Sequence, residues 1–265
     1  MTPSQYLSMN SRDTVRQILT LAAILAAIIV NTVTNLAPPS GQNVGEIANT
    51  ILQPVLIIPA NYAFAIWGVI YLGLICLAVY QALPAQKRKP NLRKLDHLLV
   101  IASLAQIVWI FLFSYQLFAL SIVAMLLILI PLIVLYLRLG IGVERVHRQE
   151  KWFVNIPVSI YLAWISVATI VNVASALYIS NWNGWGLSDE VWTVVMLVVA
   201  ALIGATVAVQ RRDLAFVLVF AWAFVAIAVA NLSIVTIAAT GIGLAVVLIL
   251  LGLFRQGRRR SMQPQ

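Results

Sequence analysis

The sequence predicts an all-α integral membrane protein with eight transmembrane helices, N-terminus and C-terminus both inside. Three observations carry this: 62% of the 265 residues are hydrophobic, only 9% are charged, and the positive charges recur in alternate gaps between apolar runs. The runs are about 20 residues long, the length that crosses a bilayer as a helix. Hydropathy places the spans near residues 17–36, 60–82, 95–117, 119–138, 153–178, 190–209, 214–231 and 233–254.

The charges test that count, because Lys and Arg in short loops collect on the cytoplasmic side and a wrong count would scatter them over both. Arg12 and Arg16 precede the first span, and Lys87, Arg88, Lys89, Arg93 and Lys94 lie between the second and third. Arg138, Arg145, Arg148 and Lys151 lie between the fourth and fifth, Arg211 and Arg212 after the sixth, and Arg255, Arg258, Arg259 and Arg260 after the eighth. All 17 basic residues then share one face, and the other carries only Glu46, Asp189 and Glu190. Topology alone accounts for the net charge of +9, so no nucleic-acid partner is expected. The partner that composition demands is the lipid bilayer, in the bacterial cytoplasmic membrane or an internal membrane. The tail "RQGRRR" can also touch anionic headgroups.

In chain order, residues 1–16 read as a cytoplasmic segment. The first span is longer than the apolar core of a signal peptide, so it is expected to be retained. Residues 37–59 form a long external segment with Pro38, Pro39, Gly41, Gly45, Pro54 and Pro59 around the apolar patch "ILQPVLII". That patch favours packing onto the bundle, as a lid over a cavity or as an interfacial loop. Short links, "SYQLFALS", "QRRD" and "ANLS", make successive helices antiparallel neighbours. In the sixth span Ala200, Gly204 and Ala208 form a small-residue face suited to close helix packing, onto the core or between protomers, so a homodimer stays open. Residues 255–265 form a basic cytoplasmic tail. The lone Cys76 excludes a disulfide within the chain and a cysteine metal cluster.

Trp152, Trp182, Trp185 and Trp192 sit near span ends, where indoles form an interfacial belt. Trp67, Trp109, Trp164 and Trp222 lie within spans, and a buried indole N–H wants an acceptor. Helical spacing puts Trp67 with Tyr71, Gln106 with Trp109, and Tyr161, Trp164, Ala168 and Asn172 on common faces. These faces are expected to turn inward, because an amide facing lipid forfeits its hydrogen bonds.

The stretch "YLAWISVATIVN" resembles the fifth-helix signature of the TspO family (TspO/MBR: tryptophan-rich sensory protein, translocator protein), with Tyr161, Leu162, Trp164, Ala168, Thr169 and Asn172 matching. Pro59 followed by Trp67 and Tyr71 is similar to the family's second-helix pattern, and Gln106 with Trp109 and "FLF" to its third. Gln106 stands where the family usually has Asn, Phe64 is one residue out of step with an expected aromatic, and a double proline is reduced to Pro59. The resemblance covers about residues 15–180. It implies a five-helix core over 17–180, with three additional helices over 181–254, and a ligand cavity near the loop between helices 1 and 2. It also implies a tetrapyrrole, such as porphyrin or haem, or a sterol-like molecule as ligand; no cofactor is required.

No Asp, Glu, Lys, Arg or His stands clearly within an apolar core, so neither an enzyme nor an ion-coupled transporter is expected. His97 and His147 read as solvated surface, and no metal site is expected. A binding protein asks only for an apolar cavity, aromatic walls and a few polar anchors. Trp67, Tyr71, Gln106, Trp109, Tyr161, Trp164, Ala168 and Asn172 are the expected ligand-binding set. The alternatives are an uncoupled carrier of lipophilic molecules and a structural subunit whose polar residues only join helices.

Overall fold

Helix caps and apolar length set the elements of the computed structural model. It describes residues 3–87, 89–95 and 97–261, with the side chains of 3–12 and 257–261 outside the description. The side chains of Arg12, Arg88, Arg258, Arg259 and Arg260, and residues 262–265 of the basic tail, therefore lie outside the described residues. The elements are α1 (Pro3–Leu36), α2 (Val44–Asn49), α3 (Ile66–Ala82), α4 (Pro90–Arg93), α5 (Leu98–Ser114), α6 (Phe118–Arg138), α7 (Arg148–Glu150), α8 (Ile156–Ile179), α9 (Asp189–Gln210), α10 (Leu214–Ala230) and α11 (Val235–Ser261). No strand occurs among the described residues. A 3-10 turn (Asn61–Ala65) leads into α3, and a π-helical turn (Lys151–Asn155) leads into α8.

Seven helical stretches are long and apolar enough to cross a membrane, and α10 is a shorter apolar helix of 17 residues. The chain is therefore a multi-pass membrane protein, with seven membrane-length helices and the shorter α10 close to the expected positions. The brevity of α10 has a local cause. Asp213 caps its N-terminus through Ala215 N (3.1 Å) and Phe216 N (3.3 Å), and the amide of Asn231 closes its end on Ile227 O (2.9 Å). The first helix begins well before residue 17, because no helix breaker follows Pro3.

The helices α1, α3, α8, α6 and α5 touch in that order and close into a ring, α5 returning to α1. The last three long helices, α9, α10 and α11, pack on one another, and α10 joins them to α8 of the ring. The small-residue face of α9 is used inside the chain: a side chain at Gly204 would meet Leu248 of α11 at 3.0 Å. Gly241 lets α11 approach α10 closely, where an added Cβ would sit 2.9 Å from Phe224 O. Cys76 is half-buried and unpaired by disulfide.

The basic stretches meet at one end of the molecule, and several of their side chains are held by acidic partners, of which Asp13 and Glu150 are buried. Arg93 grips Asp13 with two bonds (3.1 and 2.5 Å), Lys94 pairs with Glu144 (3.6 Å), and Asn91 donates to Glu150 (2.7 Å). The carboxylate of Asp213 also accepts from Tyr136 Oη (2.9 Å) and Ser159 Oγ (2.5 Å), which ties α6, α8 and α10 together. Gln17 and Gln81 exchange side-chain to backbone bonds between α1 and α3 (2.5 and 3.0 Å). These contacts satisfy groups that lipid could not.

Candidate functional site

The segment between α1 and α3 does not run loosely over the surface. Asn43 and Glu46 form a capping box that starts α2, with Glu46 N to Asn43 Oδ1 at 3.0 Å and Asn43 N to Glu46 Oε2 at 2.7 Å. The apolar patch that follows folds inward: Ile47, Ala48, Leu52, Val55, Ile57, Ile58 and Pro59 are buried. Its far end is fastened to α10. Asn231 Nδ2 donates to Leu56 O (2.8 Å), Ala60 N to Ala226 O (3.0 Å), and Trp222 Nε1 to Ala63 O (3.2 Å). Trp222 thus finds its acceptor while its ring stays 40% exposed.

Beneath this cover lies an apolar slot bounded by α3, α5 and α8. Phe64, Trp67, Trp109, Phe113, Trp164, Val167, Ala168, Val171 and Asn172 form its walls, and Val44, Ala48, Leu52, Ile58 and Pro59 its roof. Its free volume is about 50 Å³, so the roof and walls nearly fill it. The slot shares Val44, Phe64, Trp67 and Trp109 with a polar vestibule of about 530 Å³, lined also by Asn31, Thr34, Asn35, Asn43, Glu46, Asn49, Thr50 and Asn61. The vestibule opens at the end opposite the basic cluster, since it lies between the C-terminal end of α1 and the N-terminal end of α3.

One amide organises the slot wall. Asn172 Oδ1 accepts from Trp109 Nε1 (2.9 Å), and Asn172 Nδ2 donates to Ser121 Oγ (3.0 Å) on α6. Phe64 meets Trp164 edge to face at 6.2 Å, and Trp109, Phe113 and Phe118 continue the aromatic run at 5.1 Å steps.

A second group stands deeper on the same helix faces. Gln106 Nε2 donates to Tyr71 Oη (3.0 Å), and Tyr161 Oη donates to Gln106 Oε1 (2.5 Å). Trp67 stacks on Tyr71 (5.4 Å) and touches Tyr161 (6.4 Å), so it bridges the two groups. Of the eight residues expected from sequence, Trp67, Trp109, Trp164, Ala168 and Asn172 line the slot. Tyr71, Gln106 and Tyr161 do not; they satisfy one another beside it. Thr169, part of the family signature, turns its hydroxyl back to Ile165 O (2.7 Å). The eight-residue set expected from sequence left out Phe64, Phe113, Ser121 and the roof residues, although the patch "ILQPVLII" that supplies Leu52 and Ile58 was read as a lid over a cavity or an interfacial loop. Phe64 lines the slot although it is out of step with the family pattern.

The TSPO-like protein family model matches residues 17–254, nearly the whole chain. The chain belongs to that family. The match runs beyond residue 180, so the TSPO-like relationship includes α9, α10 and α11 as well as the five-helix ring. No curated protein and no solved structure matches the chain. Among the described residues of this TSPO-like chain, no group of three or more His, Cys, Asp or Glu is placed to hold a metal ion.

Proposed function

We propose that this TSPO-like protein binds a flat lipophilic ligand, a tetrapyrrole such as porphyrin or haem, in the slot beneath the 44–59 segment, and serves in sensing or trafficking that ligand. The observation that carries the reading is the slot itself: three indoles and two phenyl rings around a single buried amide, beside a polar vestibule that shares Val44, Phe64, Trp67 and Trp109 with it. Aromatic walls suit stacking on a planar ring system, and the amide and vestibule suit its polar edge. A drug-sized ligand needs a pocket of about 300–1,000 Å³. The slot has about 50 Å³ free, so on this reading its roof lifts or slides before ligand enters.

The same wall supports a role in binding, since its lining is aromatic and aliphatic apart from the amide of Asn172 and the hydroxyl of Ser175. The second reading is a packed structural subunit, favoured by the small free volume and by the mutual satisfaction of Tyr71, Gln106 and Tyr161. Titration of the purified protein with protoporphyrin, followed by tryptophan quenching, separates them. Saturable binding weakened by Trp164→Phe and Asn172→Ala supports the ligand slot. Absent binding, or binding indifferent to both substitutions, supports the packed subunit.

A further inference from the structure

We propose that a cleft at the basic end, between the ring and the three C-terminal helices, holds the phosphate-bearing head group of a membrane phospholipid. The cleft has a volume of about 590 Å³ and lies between the 141–146 loop, the π-helical turn before α8, and the junction of α9 with α10. Arg145, Lys151 and Arg212 line it, and none has an ion-pair partner among the described residues. The two acids there are engaged elsewhere: Glu144 with Lys94, and Asp213 with Tyr136, Ser159 and the start of α10. Three cations therefore line the cleft against two carboxylates, of which Glu144 is already paired with Lys94, so the lining keeps a net positive charge.

An independent feature points to a ligand. Asn155 lines the cleft with only 7% of its surface exposed, and its buried side-chain oxygen has no hydrogen-bond partner. A buried amide left unsatisfied is costly, and a head group carrying both phosphate oxygens and hydroxyl or ammonium donors can pair with either end of it. Apart from Ser159 and Gln256 the rest of the lining is apolar and includes Trp152, Ile156, Leu214 and Leu218, of which Trp152 and Leu218 are exposed on the outer surface. Cations at one end and an apolar wall running into the bilayer fit an amphiphile better than a free ion.

The test uses delipidated full-length protein in nonionic detergent, titrated with phosphatidylglycerol and read by native mass spectrometry. Arg145→Gln, Lys151→Gln and Arg212→Asn are combined; Asn suits position 212, where φ is +54°. Each removed cation is worth several-fold in affinity for an anionic lipid, so the combined variant is expected to bind about tenfold more weakly or worse. A control with Lys87→Gln, Arg138→Gln and Arg148→Gln removes equal charge outside the cleft and is expected to keep its affinity. Asn155→Asp, which preserves shape but adds negative charge, is expected to weaken binding while leaving protoporphyrin titration unchanged. Equal losses in the cleft and control variants, or no loss in either, would overturn the proposal. So would competition by inorganic phosphate at equal concentration, which would assign the cleft to a soluble anion.

Discussion

Asn172→Ala probes the slot wall most sharply. The substitution removes the acceptor of the Trp109 indole N–H and the donor to Ser121, while Ser121 keeps Phe118 O at 2.7 Å. One buried indole is thus orphaned. Interhelical hydrogen bonds in membranes contribute about 0.6 kcal/mol on average and about 1.7 at most, and a stranded buried donor costs about 1–3 kcal/mol. The expected destabilisation is therefore about 2 kcal/mol. Trp109→Phe removes the donor instead and leaves Asn172 bonded to Ser121, so its hydrogen-bond loss is expected to be smaller. Equilibrium unfolding in SDS mixed micelles of the two single variants and the double variant gives the coupling. It is expected near 1 kcal/mol, well outside the roughly 0.3–0.5 kcal/mol within which independent sites add. Additive single effects would refute the Trp109–Asn172 bond as an organising contact.

The remaining predictions concern the second polar group, the close helix contact and the roof. Tyr161→Phe strands Gln106 Oε1 and is expected to destabilise by about 1–2 kcal/mol, whereas adding Gln106→Leu and Tyr71→Phe recovers most of that loss; the same unfolding assay checks both. Gly241→Val drives a side chain against backbone at Phe224 O and is expected to cost about 1–3 kcal/mol by forcing α10 and α11 apart, read as a lowered unfolding midpoint. Asn231→Ala releases Leu56 O and is expected to speed amide hydrogen exchange across 44–59 while leaving α5 and α6 protected.

Hydropathy and charge made the spans legible because lipid leaves so few alternatives for a backbone. The inward face of α8 was legible for the same reason: Tyr161, Trp164 and Asn172 are all nearly fully buried. What spacing did not reveal was depth. Eleven residues of helix separate Tyr161 from Asn172 by about 16 Å, so one face serves two polar groups at different levels and only the one near Asn172 lines the slot. Ser121 gave no signal, since a hydroxyl can satisfy itself on its own helix and so carries no mark of a cross-helix role. Asp213, the last residue of the short link "QRRD", is a buried junction whose role spacing could not show, because its partners Tyr136 and Ser159 come from helices far away in sequence. The capping box at Asn43 and Glu46 was present as a pattern, hidden among prolines and glycines that read as irregular loop.

The proposed ligand site lies under the 44–59 segment, and hydrogen exchange mass spectrometry with and without saturating protoporphyrin tests it. Ligand bound there is expected to alter exchange in 44–59 and in the slot-facing stretches of α3 and α8, with α9 and α11 unchanged. Saturable binding that leaves 44–59 untouched would contradict it.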